Sequence, residues 1–150
     1  MNALTLWLFL AMAFMAGAFM PVQAGINALL ARELSSTLAA SIISFCVGTL
    51  ALVTLMLLQR ESVPLAAFKN LQWWHWAGGL MGAFFVFSAA FAAPRTGVLL
   101  FMTLVLAGQL CTALLLDHQG WLGFRQASIS VSKLLGLGCI GIGVWLIRRG

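Results

Sequence analysis

Apolar residues fill five long runs along this chain, at about 3–31, 36–58, 71–93, 97–116 and 130–147, and hydrophilic residues collect between them. A helix needs about 20 predominantly apolar residues to cross the hydrocarbon core of a bilayer. In lipid the backbone must satisfy its own hydrogen bonds, and contiguous runs of this length do so as helices, not as barrel strands. The pattern therefore predicts an all-α integral membrane protein. Its five transmembrane helices form one domain over residues 1–150, with no room for a soluble one.

The first run loosely imitates a secretory signal, because LTLWLFLAMAFMAGAFMPVQA ends in V-x-A at Ala24. The leading MNALT has no Lys or Arg, and the run is longer than the usual apolar region of about 7–15 residues. It is expected to stay as the first helix.

Composition agrees with this reading. Hydrophobic residues make up 63% of the chain and charged residues 7%, whereas a soluble domain carries about 25% charged residues. The net charge of +5 does not imply nucleic acid, since the eight basic residues are scattered at helix ends and form no basic face. Cys46, Cys111 and Cys139 fall inside the spans without metal-ligand spacing. They are expected to be packing residues, with no disulfide framework and no metal. Trp7, Trp73, Trp74, Trp76, Trp121 and Trp145 lie near helix ends, where an amphipathic ring prefers the headgroup layer.

Charge placement then raises a question of topology. Five spans put the termini on opposite sides. Connections 2–3 and 4–5 hold Arg60, Lys69, Arg125 and Lys133, while connections 1–2 and 3–4 and the C-terminal tail hold Arg32, Arg95, Arg148 and Arg149. Orientation normally follows an excess of Lys and Arg on the cytoplasmic side. A balance of four against four predicts insertion in both orientations. Two oppositely inserted copies can pair about an axis in the membrane plane, the symmetry of inverted-repeat transporters. With no internal repeat and an odd number of spans, the second half must come from another copy or a close paralogue.

Small residues supply surfaces for helix contact. Gly78 and Gly82 form GxxxG on the third helix, and Thr37, Ser41, Ser44 and Gly48 line one side of the second. These are expected to pack within one subunit. The fifth helix carries Gly136, Gly138, Gly141 and Gly143, candidates for a dimer contact or for packing within the subunit.

The stretch FMPVQAGINALLAR places three awkward residues in the first helix. Pro21 cannot donate a backbone hydrogen bond, so the Gly17 carbonyl loses its partner and a kink is expected. Gln23 and Asn27 are four residues apart and share a face. At about 100° per residue that face points away from Pro21, toward the inside of the bend. Unpaired amides facing lipid would cost a few kcal/mol each. They therefore line a cavity or hydrogen-bond a neighbouring helix. Gln109, beside Gly108 in the fourth helix, is the third deep amide and joins them as a cavity candidate.

Asp117 ends the fourth helix, where the macrodipole disfavours a negative charge. It is either a solvated partner of Arg125 or Arg95, or a gate contact or cation site. Glu33 suits the N-terminal end of the second helix, and His75 and His118 are expected to snorkel beside tryptophans. No Asp or Glu lies deep in a span, although intramembrane carboxylates usually mark proton or cation pathways. No nucleophile–base pair, phosphate loop or metal cluster is legible. The residues point away from an enzyme and from any cofactor.

Taken in order, PVQAGINALLAR (21–32), SFCVGTLAL (44–52), GGLMGAFFV (78–86), PRTGVLL (94–100), AGQLCTALLLDHQGWLG (107–123) and VSKLLGLGCIGIGVWL (131–146) cover nearly the whole chain. Together they resemble the drug/metabolite transporter superfamily, in its YdcZ-like branch of five-span bacterial inner-membrane proteins. The first and fifth pieces are the most specific. The resemblance implies a ten-helix transporter built from two inverted five-helix units, fused or as separate chains. It implies Pro21, Gln23, Asn27, Gly79, Gly82, Gly108, Gln109 and Asp117 as motif positions, with Gly79 and Gly108 among the packing glycines. The branch is described as an exporter group and supplies no substrate. The GIGVWLI of the last helix also resembles the dimer-forming helix of the small multidrug resistance proteins. The first helix here lacks their central glutamate, so their proton exchange is not carried over.

The expected function is secondary export of small metabolites or drug-like solutes, by alternating access across an antiparallel dimer in the lipid bilayer. Neutral amides, with aromatics such as Trp76, Phe84 and Phe85, suit a neutral or zwitterionic, partly apolar solute. The rivals are a small dual-topology channel and a non-transporting accessory subunit.

Overall fold

The computed structural model describes residues 2–149, leaving aside the side chain of Leu65. Five α-helices follow one another: α1 Ala3–Glu33, α2 Thr37–Leu58, α3 Ala77–Thr96, α4 Val98–Gln119 and α5 Val131–Arg149. Short 3-10 segments, Leu65–Asn70 and Trp73–Trp76, precede α3, and a third, Trp121–Gly123, follows α4. Among the described residues five helices are long and apolar enough to cross a membrane, the third counted from Trp73. The five apolar runs of the sequence and these helices coincide to within a few residues at each end.

The chain divides into two compact units, the first ending at Pro94 and the second beginning at Arg95. In the first, α1 and α2 pack on each other across a connection of only three residues. In the second, α4 packs on α5.

The helix ends show why the elements stop where they do. The Asn2 side chain accepts a hydrogen bond from the Thr5 amide at 2.8 Å, and Ser36 accepts one from the Ala39 amide at 3.1 Å. Each caps a helix N-terminus by occupying an orphan donor. At the end of α1, the Ser35 amide donates to the Arg32 carbonyl at 3.1 Å and the Ser36 amide to Ala31 at 3.0 Å. The end of α2 repeats the pattern, with Arg60 donating to Leu57 at 3.1 Å and Glu61 to Met56 at 3.0 Å. These paired bonds form the Schellman stop, whose left-handed residue is usually glycine. Here Ser35 and Arg60 hold that place, with φ of 51° and 55°. The fourth helix runs past the apolar run to Gln119 and ends at Gly120, φ 65°.

The buried apolar side chains are small: Ala24, Ala40, Ala89, Ala90 and Ala93, with Val86 the largest. Leucines and phenylalanines point outward instead. This inversion fits a chain whose solvent is hydrocarbon, because lipid gives no hydrophobic drive between helices and close backbone approach must hold them. Three hydroxyls within the helices are satisfied by the carbonyl one turn back. Ser41 donates to the Thr37 carbonyl at 2.9 Å, Thr54 to Leu50 at 2.8 Å and Thr103 to Leu99 at 2.6 Å.

Candidate functional site

Helix α1 continues through Pro21 without interruption, so the proline does not divide the helix. It sits half-buried one turn before the buried stretch of α1 that begins at Ala24. Gln23 and Asn27 then take different places. Asn27 is 4% exposed, the most deeply buried polar residue, alongside Ala24 at 2%. The corresponding buried residues of α2 are Ala40 and Ser41. Asn27 makes no side-chain hydrogen bond among the described residues. Gln23 is exposed and opens into a groove of about 310 Å³ in the first unit.

That groove is lined by Gln23, Ser44, Phe45, Gly48, Thr49, Leu52 and Val86. It gathers residues of all three helices of the unit. A short turn makes α1 and α2 antiparallel neighbours, and Gln23 shares the groove with Ser44 of α2. Gly48 leaves the α2 wall open, since a Cβ there would meet nothing within 4 Å. Its polar groups are an amide and two hydroxyls without a charge, on otherwise apolar walls. Such a mixture can orient a small neutral solute through a few hydrogen bonds.

Sequence reasoning singled out Gln23 but treated Ser44 and Gly48 only as packing residues, and it passed over Thr49. The available signal was the antiparallel register about the short connection at 34–36. Trp76 and Phe84 do not line this groove and are exposed. Gln109 is exposed on α4, in the other unit.

The second unit holds a groove of about 280 Å³ between α4 and α5, lined by Leu110, Ala113, Leu114, Asp117, Lys133, Gly136, Leu137 and Ile140. The basic residue sharing it with Asp117 is Lys133; neither Arg95 nor Arg125 lines it. The loop between the helices folds back on the end of α4. Ala127 donates its amide to the Asp117 carbonyl at 2.8 Å, and Gln126 donates its side-chain amide to the His118 carbonyl at 3.1 Å. Lys133 Nζ donates to the Ser128 carbonyl at 3.1 Å.

The packing glycines differ in what they face. A Cβ on Gly82 would touch the Phe45 ring at 3.5 Å, so α2 and α3 approach there. At Gly78, Gly79, Gly108, Gly136, Gly138, Gly141 and Gly143 it would meet nothing within 4 Å.

A family model described as "Putative inner membrane exporter, YdcZ" matches residues 8–146. The chain belongs to this family. Inner membrane protein YdcZ of Escherichia coli (strain K12) is 26% identical over 145 residues, covering 93% of this chain and 94% of the relative. No solved structure matches the chain. Membership in the YdcZ family and five membrane-length helices make this a multi-pass inner-membrane protein. By its description the family is one of exporters, not a class of enzymes.

Proposed function

We propose that two oppositely inserted copies form an alternating-access exporter of small neutral or zwitterionic solutes. The Gln23 groove supplies each copy's half of the path. The observation that carries this reading is the exposed amide of Gln23, set with Ser44 and Thr49 in an open groove inside a membrane span. An amide left in lipid would cost a few kcal/mol, so the groove holds water or solute. The equal basic counts on the two sets of connections, four and four, support opposite insertion. An antiparallel pair would present two such grooves, related by an axis in the membrane plane, as inverted-repeat transporters do. A close paralogue could supply the second half in place of an identical copy.

Flux into liposomes, after a solute screen by thermal shift, tests the reading. Gln23→Leu should keep fold and assembly while lowering transport at least several-fold. Transport unchanged in that variant would remove the groove from the path. A conductance that does not saturate would instead identify the small channel.

A further inference from the structure

We propose that the α4–α5 groove is a seat for a zwitterionic phospholipid, with phosphatidylethanolamine as its occupant. The site is distinct from the Gln23 groove and does not depend on transport. Its walls are aliphatic, from Leu110, Ala113, Leu114, Leu137 and Ile140, and Gly136 leaves room on the α5 side. One end carries Asp117 and Lys133, close to where α4 ends at Gln119 and α5 begins at Val131. An apolar channel along membrane-spanning helices with opposite charges at the helix-end rim matches an acyl chain below a headgroup.

The charges select the headgroup. Lys133 suits the phosphate and Asp117 suits an ammonium. Basic pockets that hold anionic lipids gather like charge, whereas here a single lysine stands beside a carboxylate. Phosphatidylglycerol would satisfy Lys133 and leave Asp117 facing an anionic lipid. The polar end is also built. The Asp117 carbonyl is occupied by the Ala127 amide and Lys133 is steadied on the Ser128 carbonyl. No hydrogen bond or ion pair engages the Asp117 carboxylate among the described residues. A half-buried carboxylate at a helix C-terminus is disfavoured by the dipole, and a bound ammonium offsets that.

Native mass spectrometry of the delipidated protein tests the proposal, with phosphatidylethanolamine and phosphatidylglycerol of matched acyl chains as probes. The wild type should retain phosphatidylethanolamine several-fold better. Asp117→Asn keeps the side-chain shape and leaves the Lys and Arg balance untouched, and it should bring the ratio close to one. Gly136→Phe, checked for helicity and monodispersity, should fill the groove and lower retention of both lipids. Equal retention by the wild type, a preference for phosphatidylglycerol, or a ratio unchanged in Asp117→Asn would each overturn the proposal.

Discussion

Ser35 and Arg60 occupy the left-handed stop of α1 and α2 that glycine usually fills. A side chain there costs about 1–2 kcal/mol, partly offset by the lower chain entropy of a non-glycine residue. Ser35→Gly should therefore raise stability by about 1 kcal/mol, seen as a higher midpoint of thermal unfolding in detergent. The two amides of α1 should part company under substitution. Gln23→Leu touches only the groove wall and should affect flux. Asn27→Leu puts a branched side chain where 4% of the residue is exposed, and overpacking of this kind costs about 1–3 kcal/mol. Loss of thermal stability in Asn27→Leu, with Gln23→Leu unaffected, is the expected result. The sequence could place both amides on one helical face, but not say which of them would be buried. That depends on the register of the α1–α2 pair, which is a property of the packed helices.

At the scale of elements, run length made the helices legible, because the bilayer imposes it and no tertiary contact is needed. Their ends were less so. The fourth run stops at Leu116 by hydropathy, yet the helix carries Asp117, His118 and Gln119 before Gly120 closes it. The closing residues depend on backbone conformation and on the returning loop, which hydropathy does not report. The alanine contacts between helices bring a prediction opposite to that for a soluble core. Ala40 is wholly buried, so Ala40→Leu should force α1 and α2 apart and cost about 1–3 kcal/mol. Truncating outward leucines such as Leu50 to alanine should leave the midpoint nearly unchanged in the same assay.

For the whole molecule, the testable property is orientation. A reporter fused to the C-terminus should be found on both sides of the membrane at native-level expression. Two lysines added to either set of connections should fix one orientation and lower transport, restored by an oppositely biased copy. A single orientation in the unmodified chain would refute dual insertion, while leaving room for a paralogous partner. The groove residues contributed by α2 were hidden from the sequence for a related reason. Ser44 and Thr49 gain meaning only when α1 lies beside them, and polar residues that weak read alone as helix filler.

Arg60 joins two of these properties in one side chain. It is one of the four basic residues on its set of connections, and its backbone sits at φ 55°. Glycine would relax the turn, and it would also leave three charges against four. Heat resistance and the proposed dual insertion thus pull this position in opposite directions. A laboratory selection for thermal tolerance alone should favour Arg60→Gly and yield a sturdier protein that faces mostly one way. Such a lineage would recover transport only by acquiring a second, oppositely biased gene copy, which is one physical route from a single symmetric chain to a pair of specialised ones.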